Sequence, residues 1–422
     1  MRNIKNIISR QIIDSRGNPT VETDVVLESG ISGRASVPSG ASTGKYEAFE
    51  LRDNKKSFMG KSVQRAVSNV NGLIFDALSG FDVSSQSLID NTLIDLDGTK
   101  NKSKLGANAI LSVSMASAVA AAKSFNIPLY KYLGGTKKFK MPTPMLNVIN
   151  GGAHANNNLS FQEFMIVPTN INTFGEAIER SSEVFHNLRN ILSKKKFSTA
   201  VGDEGGFAPN LKSEEEALKL ISEAIKISGY KLEKDFSIAI DVAASEFYKN
   251  NKYFISSVNK KLSPNEFSTF LKKLCNKYPI VSLEDPFSDD DWSSWIDFTK
   301  NNGENMQIVG DDLFTTNAIR LGEGINRKAA NSILIKLNQI GTLTETLETI
   351  ELAHENNFET IISHRSGETE DTFIADLSVA TNSGQIKTGS MSRTDRTAKF
   401  NQLIRIEEDL ISKKTLKNNR FY

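Results

Sequence analysis

Hydrophobic positions follow two rhythms along this chain, and the change from one to the other falls near Thr143. Over residues 4 to 37 apolar and polar positions alternate in three runs, Ile7 to Ile13, Thr20 to Leu27 and Ile31 to Val37. A period of two marks strands with one buried face. The intervening Asp14-Ser15-Arg16-Gly17-Asn18-Pro19 and Glu28-Ser29-Gly30 are rich in turn formers, so the pattern predicts a three-stranded antiparallel meander. Val37-Pro38-Ser39-Gly40-Ala41-Ser42-Thr43-Gly44 then reads as a mobile loop of small residues able to lay backbone and hydroxyl groups against a ligand. Helical periodicity follows from about Val63 to Leu78, Gln86 to Ile94 and Asn108 to Lys123, the last dense in Ala and Ser and able to pack closely. Lys131 to Lys140, with Gly134-Gly135, reads as a link to a second domain.

Beyond Thr143, apolar runs end in polar or charged residues and give way to amphipathic helices. Phe161 to Val167 is the first clear run, and Ala200-Val201 leads into Gly202-Asp203-Glu204-Gly205-Gly206. Ser237 to Ile240 precedes Asp241, Ile280 to Leu283 precedes Glu284-Asp285-Pro286, and Gln307 to Gly310 precedes Asp311-Asp312. Ser332 to Ile335 precedes Lys336, Thr360 to Ser363 precedes His364-Arg365-Ser366-Gly367, and Gln385-Ile386-Lys387 repeats the pattern. Runs such as Ser332-Ile333-Leu334-Ile335 do not alternate, which predicts strands buried on both faces of a helix-covered parallel sheet. Capping boxes at Thr173/Glu176, Ser213/Glu216, Ser263/Glu266 and Thr342/Glu345, with Pro264 at a first helical position, mark helix starts.

Repeated strand then helix predicts a (β/α) barrel, in which all carboxyl strand ends meet at one mouth. A doubly wound open sheet is the competitor, but no GxGxxG or P-loop pattern follows a strand. The length of 422 residues allows such a unit beside a smaller domain.

Charge and cysteine usage narrow the function classes. Lys and Arg total 51 against 50 Asp and Glu, so no global field recruits nucleic acid or an anionic membrane. Cys275 is the single cysteine, which excludes an internal disulfide or a thiolate cluster and suits a reducing compartment. Neither a signal peptide nor a membrane span is expected, so the location expected is cytoplasmic, with a secondary cell-surface or secreted pool left open.

The mouth of such a barrel would gather a particular chemistry. Asp241, Glu284 and Asp311 each end a run, and carboxylates without alternating Cys or His suit a hard cation, Mg²⁺ above all. Read singly, each is an ordinary helix-capping acid. Lys336, on the next strand, reads either as a lysine whose head snorkels to solvent or as a desolvated amine depressed in pKa until it works as a base. Glu204 is a candidate acid for a leaving group, and Arg365, Ser366, Lys387 and His364 are donors suited to phosphate or carboxylate. His154 stands in a glycine-rich loop, whereas His186 and His354 fall in helical patterns and read as structural or surface residues. Trp292 and Trp295 read as packing anchors at a helix start and Cys275 as a small core residue. The lysine tracts Lys194 to Lys196 and Lys413 to Lys417 read as solvated faces.

Motifs from end to end carry a resemblance: Asp14 to Glu22, Pro38 to Gly44, Gln162-Glu163-Phe164-Met165, Gly202 to Gly206, Ser282 to Pro286, Gly310 to Leu313, Leu334 to Thr342 and Ser363 to Thr369. Together they resemble the enolase family, the glycolytic dehydratases of 2-phosphoglycerate. The resemblance implies an α+β capping domain over residues 1–134 and a (β/α)8-type barrel with an irregular first turn over 135–422, assembled as a homodimer. It implies a carbon–oxygen lyase, phosphopyruvate hydratase, with two Mg²⁺: one held by Asp241, Glu284 and Asp311, a second arriving with substrate and aided by Ser42. It implies Lys336 as the base at C2 and Glu204 as the residue assisting loss of the C3 hydroxyl. Glu163, His154 and Gln162 would lie against the substrate. Arg365 and Ser366 would hold the phosphate, with Lys387 and His364 completing the pocket. Asn156, Ser160 and Thr381-Asn382-Ser383 depart from the bacterial pattern, at positions that are not proposed ligands. The alternatives are a superfamily relative acting on another carboxylate, a Schiff-base lysine enzyme, and a non-catalytic binding protein that reuses the fold.

Overall fold

The computed structural model describes residues 1–41 and 44–416. Strands β1 (Ile4–Ile13), β2 (Pro19–Leu27) and β3 (Ser32–Ser36) form the expected antiparallel meander. Its inner face, with Ile7, Val21, Val25 and Ala35 buried, lies against the helix Ala107–Ser124. The contact is backbone-close. A Cβ on Gly33 would sit 2.2 Å from the Ala120 nitrogen and 2.3 Å from the Ala116 oxygen, so a glycine facing alanines is what this approach requires. The helical pattern over Val63 to Leu78 is interrupted by a wide turn at Val70–Ile74, and the next helix runs Gln86–Asp97.

The remaining strands are β4 (Thr143–Asn150), β5 (Glu163–Pro168), β6 (Phe236–Asp241), a small meander β7 (Tyr248–Lys249), β8 (Lys252–Ile255), β9 (Lys260–Leu262), then β10 (Ile280–Glu284), β11 (Gln307–Gly310), β12 (Ser332–Ile335), β13 (Glu359–Ser363) and β14 (Gln385–Lys387). Eight close into a barrel in the order β10-β11-β12-β13-β14-β4-β5-β6. Met145, Met165, Val167, Ala239, Val309, Leu334 and Ile361 fill its interior. The helix starts at Thr173, Ser213, Ser263 and Thr342 are capped by those side chains, with the reciprocal glutamate bond complete at Ser263/Glu266. Trp295 is fully buried, its indole donating to the Ser288 carbonyl at 3.0 Å, and Trp292 opens the helix Trp292–Asn302.

The first turn of the barrel departs from strand–helix repetition. β5 runs antiparallel to both neighbours, while the other barrel pairs are parallel. The link from β4 to β5 carries only a single short helical turn, Gly152–His154, so the chain returns down the barrel instead of crossing over it. Two helices, Phe174–Lys194 and Glu214–Ile227, then restore the direction for β6. Ala200-Val201, expected to be one of the strand-like runs, is not a barrel strand. It lies in the connection between these helices and makes one bridge, Val201 to Phe207. β4, conversely, was not singled out by the pattern, because Pro144, Asn147 and Asn150 interrupt its apolar run.

The meander and the barrel mouth are tied by direct contacts. Ser39 and Gly367 exchange two backbone hydrogen bonds of 2.8 Å, and Arg16 donates to the carbonyls of Ser39 (3.1 Å) and Gly40 (2.9 Å). A Cβ at Gly367 would stand 2.6 Å from the Asp14 carboxylate, so this seam also depends on a glycine. No helix among the described residues is long and apolar enough to cross a membrane.

Candidate active site

Strand ends place the candidate residues. Asp241 and Glu284 end β6 and β10 as register partners; Asp311 follows β11, Lys336 follows β12, His364, Arg365 and Ser366 follow β13, and Lys387 ends β14. Because β5 is reversed, Glu163 enters the mouth from the start of its strand, paired with Asp241, with Gln162 just before it. Glu204 arrives on the loop between the two helices. That loop is pressed against the mouth at Gly202, Gly205 and Gly206, where a Cβ would meet the His154 oxygen at 2.6 Å, the Ser392 oxygen at 2.4 Å and Asn150 Oδ1 at 2.8 Å. One pocket is lined by His154, Gln162, Glu163, Glu204, Asp241, Asp311, Lys336, His364, Arg365, Ser366 and Lys387, with Gly40 and Ala41 at its edge. Glu284 lies beneath, bonded to Lys387. Ser42 lies outside the described residues.

Two lysines divide the acids between them. Lys387 Nζ donates to Asp241 Oδ2 at 3.0 Å and to both oxygens of Glu284 at 2.8 Å, and lies 3.1 Å from Glu163 Oε1. Burial opposes its charge, but Asp241, Glu163 and Glu284 outweigh burial and hold its pKa well above the lysine range. Lys336, with 14% of its side chain exposed, pairs with Asp311 Oδ2. Burial, the largest single influence, lowers the Lys336 pKa, but the neighbouring carboxylates, Asp311 first and Glu284 after it, together carry it above the ordinary lysine value.

The acid side is built around Glu163 and Glu204. Burial, followed by the neighbouring Glu204, drives Glu163 well above the carboxylate range. Burial, the largest single influence, pushes Glu204 up too, but its neighbours together, His154 and His364 with Arg396, hold Glu204 well below that range. His154 Nδ1 is 3.4 Å and His364 Nε2 3.3 Å from Glu204 Oε1, and Asn147 donates to Oε2 at 3.0 Å. Two adjacent carboxyl groups are thus pushed apart in pKa, the usual sign of separate acid and base roles. His364, buried, is pushed well below the ordinary histidine value by desolvation and stands neutral.

A family model for the enolase C-terminal TIM barrel domain matches residues 138–422, and one for the enolase N-terminal domain matches residues 4–133. The chain belongs to the enolase family. An enolase-type dehydratase that takes a small molecule and depends on a metal follows from that membership and from this mouth.

The residues present fit a hard cation. Carboxylates outnumber cationic groups in this enolase pocket, and burial raises Glu284 and Asp285 well above the usual range and Asp312 to about 8. Glu163 Oε2 is buried with no hydrogen-bond partner among the described residues. An all-oxygen set of this kind suits Mg²⁺. Two groups bring ligand atoms within 4.8 Å of one another, His154 with Glu163 and Glu204, and Asp285 with Asp311 and Asp312. The expected trio does not close into either group: Lys387 holds Asp241 and Glu284, and Lys336 holds Asp311.

Several residues of the enolase site had no signal in sequence. Glu47 binds Arg365 through both carboxylate oxygens, at 2.9 and 3.2 Å. Gln339 donates to Asp311 Oδ1 at 2.9 Å. Asp285, at φ +40°, accepts from the backbone nitrogens of Asp311 and Asp312 at 2.9 and 2.8 Å. Glu47 and Gln339 end no apolar run, and their partners lie on other elements, 318 residues away for Glu47 and 28 for Gln339. Asp285 was readable only as the neighbour of Glu284. A larger cavity of about 950 Å³ opens at the opposite end of the barrel, lined by amides such as Asn170, Asn331, Gln307 and Gln385. In this fold that end serves stability and the carboxyl end serves chemistry.

Proposed function

We propose that this protein catalyses the reversible dehydration of 2-phospho-D-glycerate to phosphoenolpyruvate. One observation carries the reading. Lys336, after β12, and Glu163, at the start of β5, lie on strands four places apart in either direction round the eight-stranded ring, so base and acid face each other across the mouth. Removal of a proton on one side of a substrate and departure of hydroxyl on the other need that opposition.

In this reading Lys336 Nζ takes the C2 proton and the Glu163/Glu204 pair delivers a proton to the departing C3 oxygen. Lys336 is free to accept a proton when the charge of Asp311 is engaged by something other than Lys336. Arg365 and Ser366 hold the phosphate; the Ser366 hydroxyl is buried with no hydrogen-bond partner among the described residues, which suits it to a phosphate oxygen. Gln162, His154, His364 and Lys387 orient the carboxylate and exclude water. Asp241, Glu284 and Asp311 would hold the first Mg²⁺, with Ser42 joining a second that arrives with substrate. When bound, the metal supplies positive charge beside the substrate carboxylate, where negative charge accumulates as the proton leaves. We further read residues 1–134 as the capping domain, and the protein as a cytoplasmic homodimer, in keeping with its family and its one partly buried cysteine.

Ultraviolet absorbance of the conjugated product tests the function. With 2-phosphoglycerate and Mg²⁺ the absorbance rises, and EDTA abolishes the rise. A folded, Mg²⁺-loaded protein that produces no rise has another substrate or no catalytic role.

A further inference from the structure

Arg396 is among the largest side chains buried completely in the molecule, and no step above uses it. It sits near the start of the helix Thr394–Ser412. Its Nη1 lies 2.6 Å from His364 Nδ1 and donates to the Arg365 carbonyl at 2.6 Å. Its Nη2 donates to the Ser366 carbonyl at 2.6 Å and to the Asp203 carbonyl at 3.1 Å. Asp395 Oδ2, 2.7 Å from Nε, supplies a counter-charge. One guanidinium thereby reaches the segment that carries His364, Arg365 and Ser366 and also the loop that carries Glu204.

A guanidinium has only donors and keeps its protons in a protein. A ring nitrogen 2.6 Å from it must therefore present a lone pair. Neutral imidazole has one such nitrogen, so the hydrogen of His364 is on Nε2, the atom that faces Glu204 Oε1 at 3.3 Å. We propose that Arg396 is a positioning residue that fixes His364 as its Nε2–H tautomer and fastens the two loops bearing the acid and the phosphate ligands in one register. His364 is then a fixed hydrogen-bond donor. It cannot collect a proton at Nδ1 without placing two cationic groups in contact. Its Nε2–H is then aimed at Glu204 Oε1, 3.3 Å away.

The tautomer follows from geometry alone, whereas its consequence for turnover rests on the function proposed above, and the experiment separates the two. The full chain holds four histidines, so ring ¹⁵N labelling gives a countable spectrum, with His364→Gln assigning the resonances of interest. Wild-type protein near neutral pH is expected to show a proton on Nε2 of His364 and a bare Nδ1. A proton on Nδ1, or on both nitrogens, would overturn the proposal. Arg396→Met is expected to convert His364 to a mixture of tautomers and to lower kcat by about 10²-fold through misplacement of the two loops. Arg396→Lys, which keeps a donor, is expected to retain the Nε2–H form and recover part of the turnover. A folded Arg396→Met protein with an unchanged His364 spectrum removes the tautomer from Arg396. Should Arg396→Met fail to fold, the wild-type spectrum and Arg396→Lys decide the matter. Absence of dehydration by the wild type would sink the proposed function and leave the spectrum to judge this inference.

Discussion

Lys336→Ala lowers kcat by about 10²–10⁴-fold, the range for loss of a general base, while the fold and Mg²⁺ affinity stay close to wild type. The expectation rests on where Lys336 stands: at the end of β12, across the ring from Glu163, with its ammonium on Asp311. Proton abstraction is a transition-state interaction, so its loss should appear in kcat and in kcat/KM alike, with little change in ground-state binding. Alanine also frees Asp311 from the Lys336 ammonium, which does not weaken a cation at that carboxylate. Steady-state kinetics with calorimetric Mg²⁺ titration checks both halves. Near-normal turnover removes Lys336 as the base, and a large loss of Mg²⁺ affinity assigns it to the metal site instead.

Lys387→Met is expected to reduce folding stability by about 3–5 kcal/mol in EDTA, the usual cost of removing one partner from a buried ion pair. Methionine fills much of the space but leaves Glu163, Asp241 and Glu284 facing one another without the ammonium that now lies 2.8–3.1 Å from them. The sign with pH follows from the raised Lys387 value. Its contribution is fully present below the ordinary lysine pKa of about 10.4 and is lost only as pH rises through the higher folded value, so at neutral pH all of it is at stake. The variant's deficit should shrink in acid, where the carboxylates take up protons. It should shrink as well in millimolar Mg²⁺, because a cation that binds only the folded state stabilises it. Urea unfolding with and without Mg²⁺ provides the measurement. Equal stability of variant and wild type, or no response to Mg²⁺, would mean that these carboxylates do not form the cluster described.

The sequence made much of the molecule legible, for identifiable reasons. Strands β6, β10, β11, β12 and β13 appear as apolar runs because nearly all of their positions are buried, and the group that ends each run is carried to the mouth by the fold. Four helix starts were readable from residues three apart, since capping is a local bond. What escaped depended on partners distant in sequence. The direction of β5 follows from a short link that cannot cross over, and the two residues Ala200-Val201 were too few to tell a strand from a loop. Arg396 gives no sign of itself in a helical pattern, because its value lies in carbonyls of loops far upstream. Lys336 was read as an amine depressed by burial and by a nearby cation; the carboxylates that act against burial here, Asp311 first, stand on neighbouring strands and could not be placed from the run itself. Likewise Glu163 and Glu204, both buried, are shifted in opposite directions by neighbours distant in sequence, among them His154, His364 and Lys387.

Loss of deuterium from C2 of deuterated 2-phosphoglycerate, followed by nuclear magnetic resonance beside product formation, tests the central claim most directly. With Mg²⁺ the wild-type protein is expected to release the label to water and to form phosphoenolpyruvate. Lys336→Ala should do neither, and Glu204→Gln should keep releasing label while product formation falls. Label that stays on C2 in the presence of folded, Mg²⁺-loaded wild-type protein would contradict the account.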